Sequence, residues 1–330
     1  MQRDSGSDAQ ADNQSAALPF LRPTPLDPPP GVPPRRACAK IPKVPIPQTR
    51  SPELKQIAAR GLQFAVWEWP GEDPPLLFAH ATSFHGRCWD PVIGEFPGRR
   101  CVAIEARGHG RSSKPEPPYH WGGFVLDMLA VTEGLGLEGA IGIGHSMGGH
   151  TVTAVAAARP NAFRGLVLVD PTMWPPEAYG AAMDVAFVRK RRARWSSPDQ
   201  MFDHFRHRPP FEHWKPEMLR AYCDFGLLPD AGEFVLACPP DIEASIYECS
   251  KEPEANLQDV IPAVTQPVTV LRAGYAGERR FSTSPTDPLL ASRLPRGRDV
   301  LLAERSHFIP MEAPEVVARH IRELLRSAEA

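Results

Sequence analysis

Ala140-Ile-Gly-Ile-Gly-His-Ser-Met-Gly-Gly149 is the stretch that decides the fold of this 330-residue chain. Its first four residues form a short apolar run, which is typical of a strand buried on both faces of a parallel sheet. A segment rich in alanine and valine follows from Met147 to Arg159, and Pro160 stops it as a helix. The stretch therefore predicts a strand, a sharp turn at Ser146 and a helix.

Similar apolar runs lie on both sides of this stretch, and helical segments separate several of them. Strands are predicted for Gly61–Trp69, Leu76–Ala79, Cys101–Ile104, Leu166–Val169, Val268–Leu271 and Val300–Ala303. Helices are predicted between Phe124 and Leu135 and from Glu312 to Arg326, where apolar side chains recur on one stripe. Strands that alternate with helices predict a doubly wound α/β fold with a mostly parallel sheet.

The alternation stops between Asp170 and about Pro262. This interval lacks a convincing buried strand and holds 12 of the 27 aromatic residues. We interpret residues 171–261 as a mostly helical lid over the strand ends, where ligands bind in open α/β sheets. Its basic run, Arg189–Arg194, is interpreted as a solvated helix face. Residues 53–170 and 262–330 then form the core.

Residues 1–52 differ in composition from the rest of the chain. They carry 12 of the 39 prolines, and their first part is polar. Such a composition does not support a packed core, so we predict a disordered or polyproline-like arm that catalysis does not need.

The overall composition excludes several classes of protein. Lys+Arg is 37 and Asp+Glu is 39, so no basic excess favours nucleic acid as a partner. No apolar run approaches about 18 residues, the length of a membrane span. The six cysteines are scattered, and neither a metal-ligand spacing nor a cofactor motif is present, so we expect no metal and no cofactor. Without a visible secretory signal, we expect a cytoplasmic protein. Its oligomeric state is not predicted.

Gly144-His-Ser-Met-Gly148 fits the pattern G-x-S-x-G. Between a strand and a helix, this pattern forms a strained turn that exposes the serine hydroxyl. The flanking glycines remove the Cβ atoms that would clash in so tight a turn. The amides at the helix N-terminus then point toward developing negative charge. Ser146 is therefore the candidate nucleophile.

Several segments, taken together and in this order, resemble α/β-hydrolase enzymes of the esterase and lactonase kind. They are Phe78-Ala-His-Ala-Thr82, Glu105-Ala-Arg-Gly-His-Gly-Arg-Ser112, Gly144-His-Ser-Met-Gly-Gly149, Leu166-Val-Leu-Val-Asp170 and Ser306-His-Phe308. The resemblance implies a Ser–His–acid triad, an eight-stranded sheet and a lid inserted after the sixth strand. It implies that His307 is the general base and that the Thr82 and Met147 amides hold the oxyanion. His80 is interpreted as a structural histidine that braces the oxyanion segment.

The acid of the triad has two candidates. In most members of the family it follows the seventh strand, where the first carboxylate of this chain is Glu278, six residues past Arg272. Asp170 ends the Leu166–Val169 run, and Pro171 keeps the chain extended there. We favour Asp170, because a carboxylate fixed at a strand end holds an imidazole more rigidly than one on a loop; Glu278 remains the alternative.

These features predict a hydrolase that cleaves a carboxylic ester, a lactone or a thioester through an acyl-enzyme on Ser146. The aromatic insertion favours a small-molecule substrate with an apolar acyl or aromatic group. The same triad acting on a carbon–carbon bond, on an amide or in perhydrolysis is an alternative. A non-catalytic small-molecule receptor on the same fold is a further alternative of a different class.

Overall fold

A computed structural model describes residues 51–274 and 283–329 of the chain. The predicted arm lies outside these residues except for Ser51 and Pro52, and the first strand begins at Glu53. Glu278 also lies outside the described residues.

The core is an eight-stranded sheet with the order β1-β2-β4-β3-β5-β6-β10-β11. Strand β2 runs antiparallel to both of its neighbours, and all other pairs are parallel. The predicted doubly wound α/β fold is therefore confirmed. The strands are β1 Glu53–Ala59, β2 Leu62–Trp69, β3 Glu72–Ala79, β4 Arg99–Ile104, β5 Ala140–His145, β6 Phe163–Val169, β10 Val268–Ala273 and β11 Gly297–Leu302.

Strand β1 is the one core strand that no apolar run predicted. It lies at an edge of the sheet, and none of its residues is fully buried. Its sequence, Glu-Leu-Lys-Gln-Ile-Ala-Ala, therefore lacks the continuous apolar character of the central strands. In contrast, all six residues of β5 are buried, as expected for a strand covered on both faces.

Helices cover both faces of the sheet. Side chains of α2 and α3 pack with one apolar cluster, and side chains of α1 and α10 pack with another on the opposite face. The helices are α1 Asp90–Ile93, α2 Trp121–Gly134, α3 Met147–Ala158, α4 Ala186–Arg189, α5 Pro198–Phe205, α6 Pro216–Phe225, α7 Pro240–Glu248, α8 Leu290–Arg293, α9 Ile309–Glu312 and α10 Pro314–Glu329. Of the helices in the described ranges, none is long and apolar enough to cross a membrane.

An insertion separates β6 from β10, and it contains α4 to α7. It differs from the predicted helical lid in holding a small antiparallel sheet. The strands of this sheet are β7 Arg194–Trp195, β8 Leu227–Asp230 and β9 Glu233–Leu236. These strands are short and partly exposed, so they carry little periodic signal. Ala231 and Gly232 form the two-residue turn between β8 and β9, and both have a positive φ, 47° and 84°. Alanine is uncommon in such a turn, so these two residues do not predict a hairpin.

The basic run in the insertion is not a uniformly solvated helix face. Helix α4 ends at Arg189, and Arg191 forms an ion pair with the buried carboxylate of Glu243. The Arg191 guanidinium also donates to Tyr222 Oη at 3.1 Å. The interpretation of Arg191 as a solvated residue was therefore wrong, because its partner lies 52 positions away in sequence and the local pattern does not reveal it.

Candidate active site

Ser146 occupies a tight turn between β5 and α3. Its backbone has φ 54° and ψ −117°, a strained conformation for a residue with a side chain. The turn is possible because its neighbours lack side chains. A Cβ atom on Gly144 would lie 2.4 Å from the Gly148 carbonyl oxygen, and one on Gly148 would lie 2.2 Å from the Ala79 carbonyl oxygen. The glycines of the G-x-S-x-G pattern are therefore required by backbone packing.

A hydrogen-bonded chain joins Asp170, His307 and Ser146. His307 follows β11, and its Nδ1 lies 2.6 Å from Asp170 Oδ2. On the other side of the ring, Nε2 lies 3.0 Å from Ser146 Oγ. The Asp170 carboxylate accepts the Nδ1 proton, so Nε2 of the neutral ring is left as an acceptor for the serine proton. The structure thus brings these three predicted residues together in the order that a triad needs.

The Asp170 side chain is fully buried, and three more groups surround it. Its Oδ1 accepts from the Ala273 amide at 2.9 Å and from Ser284 Oγ at 2.6 Å. Thr286 Oγ1 lies 3.3 Å from the same oxygen, and its proton goes to the Pro171 carbonyl at 2.7 Å. Ser284 and Thr286 lie in the loop after β10, where most relatives of the resembled family place the acid itself. Here that loop supplies a hydroxyl donor to an acid that follows the neighbouring strand.

His145 fixes the loop that carries His307. Its Nε2 lies 2.8 Å from the His307 carbonyl oxygen. Burial holds the pKa of His145 well below its usual range, and the nearby His307 ring lowers it further. His145 is therefore neutral and donates its Nε2 proton to this carbonyl. The sequence pattern treats this residue only as a variable position of the elbow.

Thr82 and Met147, the predicted oxyanion residues, lie side by side. Thr82 Oγ1 is 3.6 Å from Met147 Sδ, and both residues are buried. Met147 is the first residue of α3, so its amide has no acceptor within the helix. Among the described residues, no loop hydrogen bond uses the Thr82 amide either. The assignment of these two amides to an oxyanion site stays a prediction.

Two buried histidines brace the segment that carries Thr82. His80 donates from Nδ1 to the Ala81 carbonyl and accepts from the Ala106 amide at Nε2, at 2.8 and 3.0 Å. His109 Nε2 accepts from the Ser83 amide at 3.0 Å. Burial lowers the pKa of His80 to about 4, so its ring stays neutral at physiological pH. These contacts are those expected of a structural histidine.

Two other aspartates near the end of the chain have different partners. Asp287 pairs with Arg293 at 2.5 Å, and Asp299 pairs with Arg272 at 2.8 Å. Neither is therefore available to His307. Glu278 lies outside the described residues, so the choice between it and Asp170 rests on the Asp170 contacts.

One group of possible metal ligands occurs among the described residues, formed by His120, Cys249 and Glu252. His120 Nδ1 is 2.7 Å from Glu252 Oε2 and 3.3 Å from Glu254 Oε1, which gives this histidine an ion pair at the surface. Ser146, Asp170 and His307 are not part of this group. The expectation that the chain needs no metal stays a prediction.

The sheet, the inserted segment and the Ser146 turn define the class of protein. The profile of the Alpha/beta hydrolase family matches residues 76–320, well over half of the chain. The chain belongs to the Alpha/beta hydrolase family. The resemblance seen in the sequence and the prediction of a hydrolase are confirmed at this level.

The relatives that this chain resembles are named as enzymes. The chain is 33% identical over 143 residues to a non-heme chloroperoxidase of Streptomyces lividans. The matched segment covers 42% of this chain and 48% of that protein. It is 25% identical over 259 residues to the 2-(acetamidomethylene)succinate hydrolase of Mesorhizobium japonicum, covering 76% and 87%. The solved structure of an E-2-(acetamidomethylene)succinate hydrolase shares the fold with a TM-score of 0.69. That match has 20% identity and covers 83% of this chain and 99% of the other.

We expect Gly148→Ala to destabilise the protein, because the new Cβ would lie 2.2 Å from a backbone oxygen that cannot move away freely. The expected loss is about 1–3 kcal/mol, the usual range for overpacking, measured by urea unfolding. Gly122→Ala is the matched control, since a Cβ there meets nothing within 4 Å and helix α2 continues through it. Equal stability of the two variants would contradict the assignment of Gly148 to a packed elbow.

Proposed function

We propose that this hydrolase cleaves a carboxylic ester, a lactone or a thioester through an acyl-enzyme on Ser146. The observation that carries the proposal is the continuous chain from Asp170 Oδ2 through His307 to Ser146 Oγ, with distances of 2.6 and 3.0 Å. A serine hydroxyl is a weak nucleophile until a base removes its proton, and His307 Nε2 lies in hydrogen-bond reach of that proton.

Acylation begins when Ser146 Oγ attacks the substrate carbonyl carbon. His307 Nε2 takes the serine proton, and Asp170 stabilises the imidazolium that forms. The negative charge on the carbonyl oxygen is held by the Thr82 and Met147 amides. Removing one donor of such a pair typically costs ~10²–10³ in rate. His307 then returns the proton to the leaving group, the carbonyl re-forms, and the acyl group stays on Ser146.

Deacylation repeats these steps with water as the nucleophile. His307 Nε2 removes a proton from the water, and the new oxygen–carbon bond forms at the same carbonyl. The bond to Ser146 Oγ then breaks, and His307 returns the proton to that oxygen. Each residue is left in its starting state, because the water supplies the proton that replaces the one Ser146 lost to the leaving group.

The acyl site of this proposal is apolar. Phe84 follows the Thr82 segment and Phe308 follows His307, and the two rings have centroids 6.3 Å apart. Trp214 of the insertion lies 5.7 and 5.3 Å from the same two rings. We infer that this aromatic cluster, which the core and the insertion form together, contacts the acyl group of the substrate and favours an apolar acyl or aromatic group.

An amide bond is the second candidate substrate. It is favoured by the similarity to the 2-(acetamidomethylene)succinate hydrolase, whose named substrate contains an acetamido group. The same proton transfers serve an amide, because His307 protonates the departing nitrogen as it would an oxygen.

The decisive test is an activity screen with p-nitrophenyl esters, lactones, thioesters and acetamides, using wild-type protein and Ser146→Ala. We expect ester, lactone or thioester hydrolysis in the wild type and a loss of ~10⁴–10⁶ in turnover in the variant. A fluorophosphonate probe should label the wild type at Ser146. Wild-type protein that neither labels nor turns over any of these substrates would favour a receptor.

The identity of the acid is tested with Asp170→Asn and Glu278→Gln in parallel. An amide at the true acid position stabilises the wrong histidine tautomer, which lowers kcat by ~10⁴ in a serine triad. We expect this loss in Asp170→Asn and near-normal kcat in Glu278→Gln. The reverse result would transfer the role to Glu278.

The acyl preference is tested with esters from acetyl to hexanoyl. We expect kcat/KM to rise with chain length, since each buried methylene contributes up to about 0.8 kcal/mol until the site is full. A flat or falling series would show that the aromatic cluster serves only to pack the insertion.

A further inference from the structure

A second hydroxyl lies directly beside the proposed nucleophile. Thr172 Oγ1 is 2.9 Å from Ser146 Oγ, and the two residues are 7% and 6% exposed. Among the residues that the structure describes, Ser146 is the one hydrogen-bond partner of this hydroxyl. Thr172 belongs to no motif of the chain, and the proposed triad chemistry does not use it.

The protons around Ser146 Oγ follow from its neighbours. His307 Nδ1 carries the proton that Asp170 accepts, so Nε2 needs a donor, and the single Ser146 proton fills that role. Thr172 must then be the donor in its own contact with Ser146 Oγ. Once an acyl group occupies Oγ, that oxygen becomes an ester oxygen and a poor acceptor. The Thr172 hydroxyl is then free to bind whatever group enters next to it.

The backbone holds Thr172 in place relative to the nucleophile. The Thr172 amide donates to the Ser146 carbonyl oxygen at 3.0 Å. The Pro171 carbonyl accepts from Thr286 Oγ1 at 2.7 Å and from the Met173 amide at 2.8 Å. Thr172 is therefore a fixed part of the site, although it lies at the start of the insertion.

We propose that Thr172 Oγ1 binds the acyl acceptor and makes the site selective for water over alcohols. The proposal rests on the acyl-enzyme proposed above. The attacking water donates one proton to His307 Nε2 and its other hydrogen bond to Thr172 Oγ1, which leaves a lone pair facing the carbonyl carbon. The oxygen–carbon bond forms, the bond to Ser146 Oγ breaks, and the proton taken by His307 passes to Ser146 Oγ. Thr172 keeps its own proton throughout.

Selectivity follows from the number of O–H groups on the acceptor. An alcohol has one, which His307 takes, and its alkyl group then replaces the hydrogen that a water molecule would give to Thr172. An alcohol held in this orientation donates no hydrogen bond to Thr172 and places carbon against the hydroxyl. To bind Thr172 it must instead turn its remaining lone pair to the Thr172 proton, which moves its alkyl group elsewhere in the site. Replacing this hydroxyl by a methyl group removes the advantage of water and the penalty on alcohol together.

The test compares wild type, Thr172→Val and Thr172→Ser with p-nitrophenyl butyrate in mixtures of water and methanol. The burst phase gives the acylation rate, the later phase gives deacylation, and the ratio of methyl butyrate to butyrate gives the partition. In Thr172→Val we expect deacylation by water to fall about 3- to 10-fold, the size of one neutral hydrogen bond. We expect the partition to shift toward methyl butyrate by a similar factor, and acylation to fall less than deacylation does. Thr172→Ser should behave as wild type.

Circular dichroism checks the fold of each variant, and Thr172→Ala serves the same comparison if valine is not accommodated. An active Thr172→Val protein with an unchanged partition would overturn the inference and leave the proposed function intact. Equal losses in acylation and deacylation would also overturn it, since Thr172 would then only hold the nucleophile. A wild-type protein without burst or turnover would remove the acyl-enzyme and this inference with it.

Discussion

The positive φ of Ser146 is the constraint on which the rest of the site depends. A residue with a side chain adopts this conformation only when its surroundings enforce it, at a cost on the order of 1–3 kcal/mol. The chain must leave β5 and enter α3 within a single residue, so Gly144 and Gly148 approach other backbone atoms at distances that no Cβ would permit. The same turn gives Met147 a free amide and points the serine hydroxyl out of the sheet. Its strain is offset by packing in the sheet and helices around it.

The second condition is that strands far apart in sequence end next to each other. Asp170 follows β6, the neighbour of β5 in the sheet, and its amide donates to the Leu271 carbonyl of β10 at 2.7 Å. Its φ of 43° shows that the extended backbone predicted before Pro171 was wrong. His307 follows β11, the next strand along. Parallel strands bring their carboxyl ends to one edge, so the residues that follow β5, β6 and β11 meet there without a long side chain. The hydroxyls of Ser284 and Thr286 complete the surroundings of Asp170 and replace the solvent that its burial removes.

Sequence reasoning predicted the parts that depend on local pattern. The buried strands, the elbow glycines and the positions of Ser146 and His307 all follow from short stretches whose meaning does not depend on distant residues. Strand β1 was not predicted, because an edge strand with mixed burial has no continuous apolar run. The contacts of the Ser284 and Thr172 hydroxyls were not predicted. Their partners, Asp170 and Ser146, lie more than 20 positions away in sequence. Arg191 was misinterpreted for the same reason, since a charge run looks solvated until its buried partner is known.

The insertion and the loops that carry Thr82 and His307 share one aromatic cluster. Phe84, Phe308 and Trp214 are all buried, and each ring contacts the others across the boundary between core and insertion. The insertion is therefore not an interchangeable module. An insertion taken from a relative would pack against the core only if one of its own side chains took the place of Trp214 and contacted Phe84 and Phe308. Because these phenylalanines flank the loops of Thr82 and His307, a poor fit would loosen the two loops on which Ser146 relies. Substitutions within the insertion that keep Trp214 leave this cluster in place, whereas exchange of the whole insertion does not.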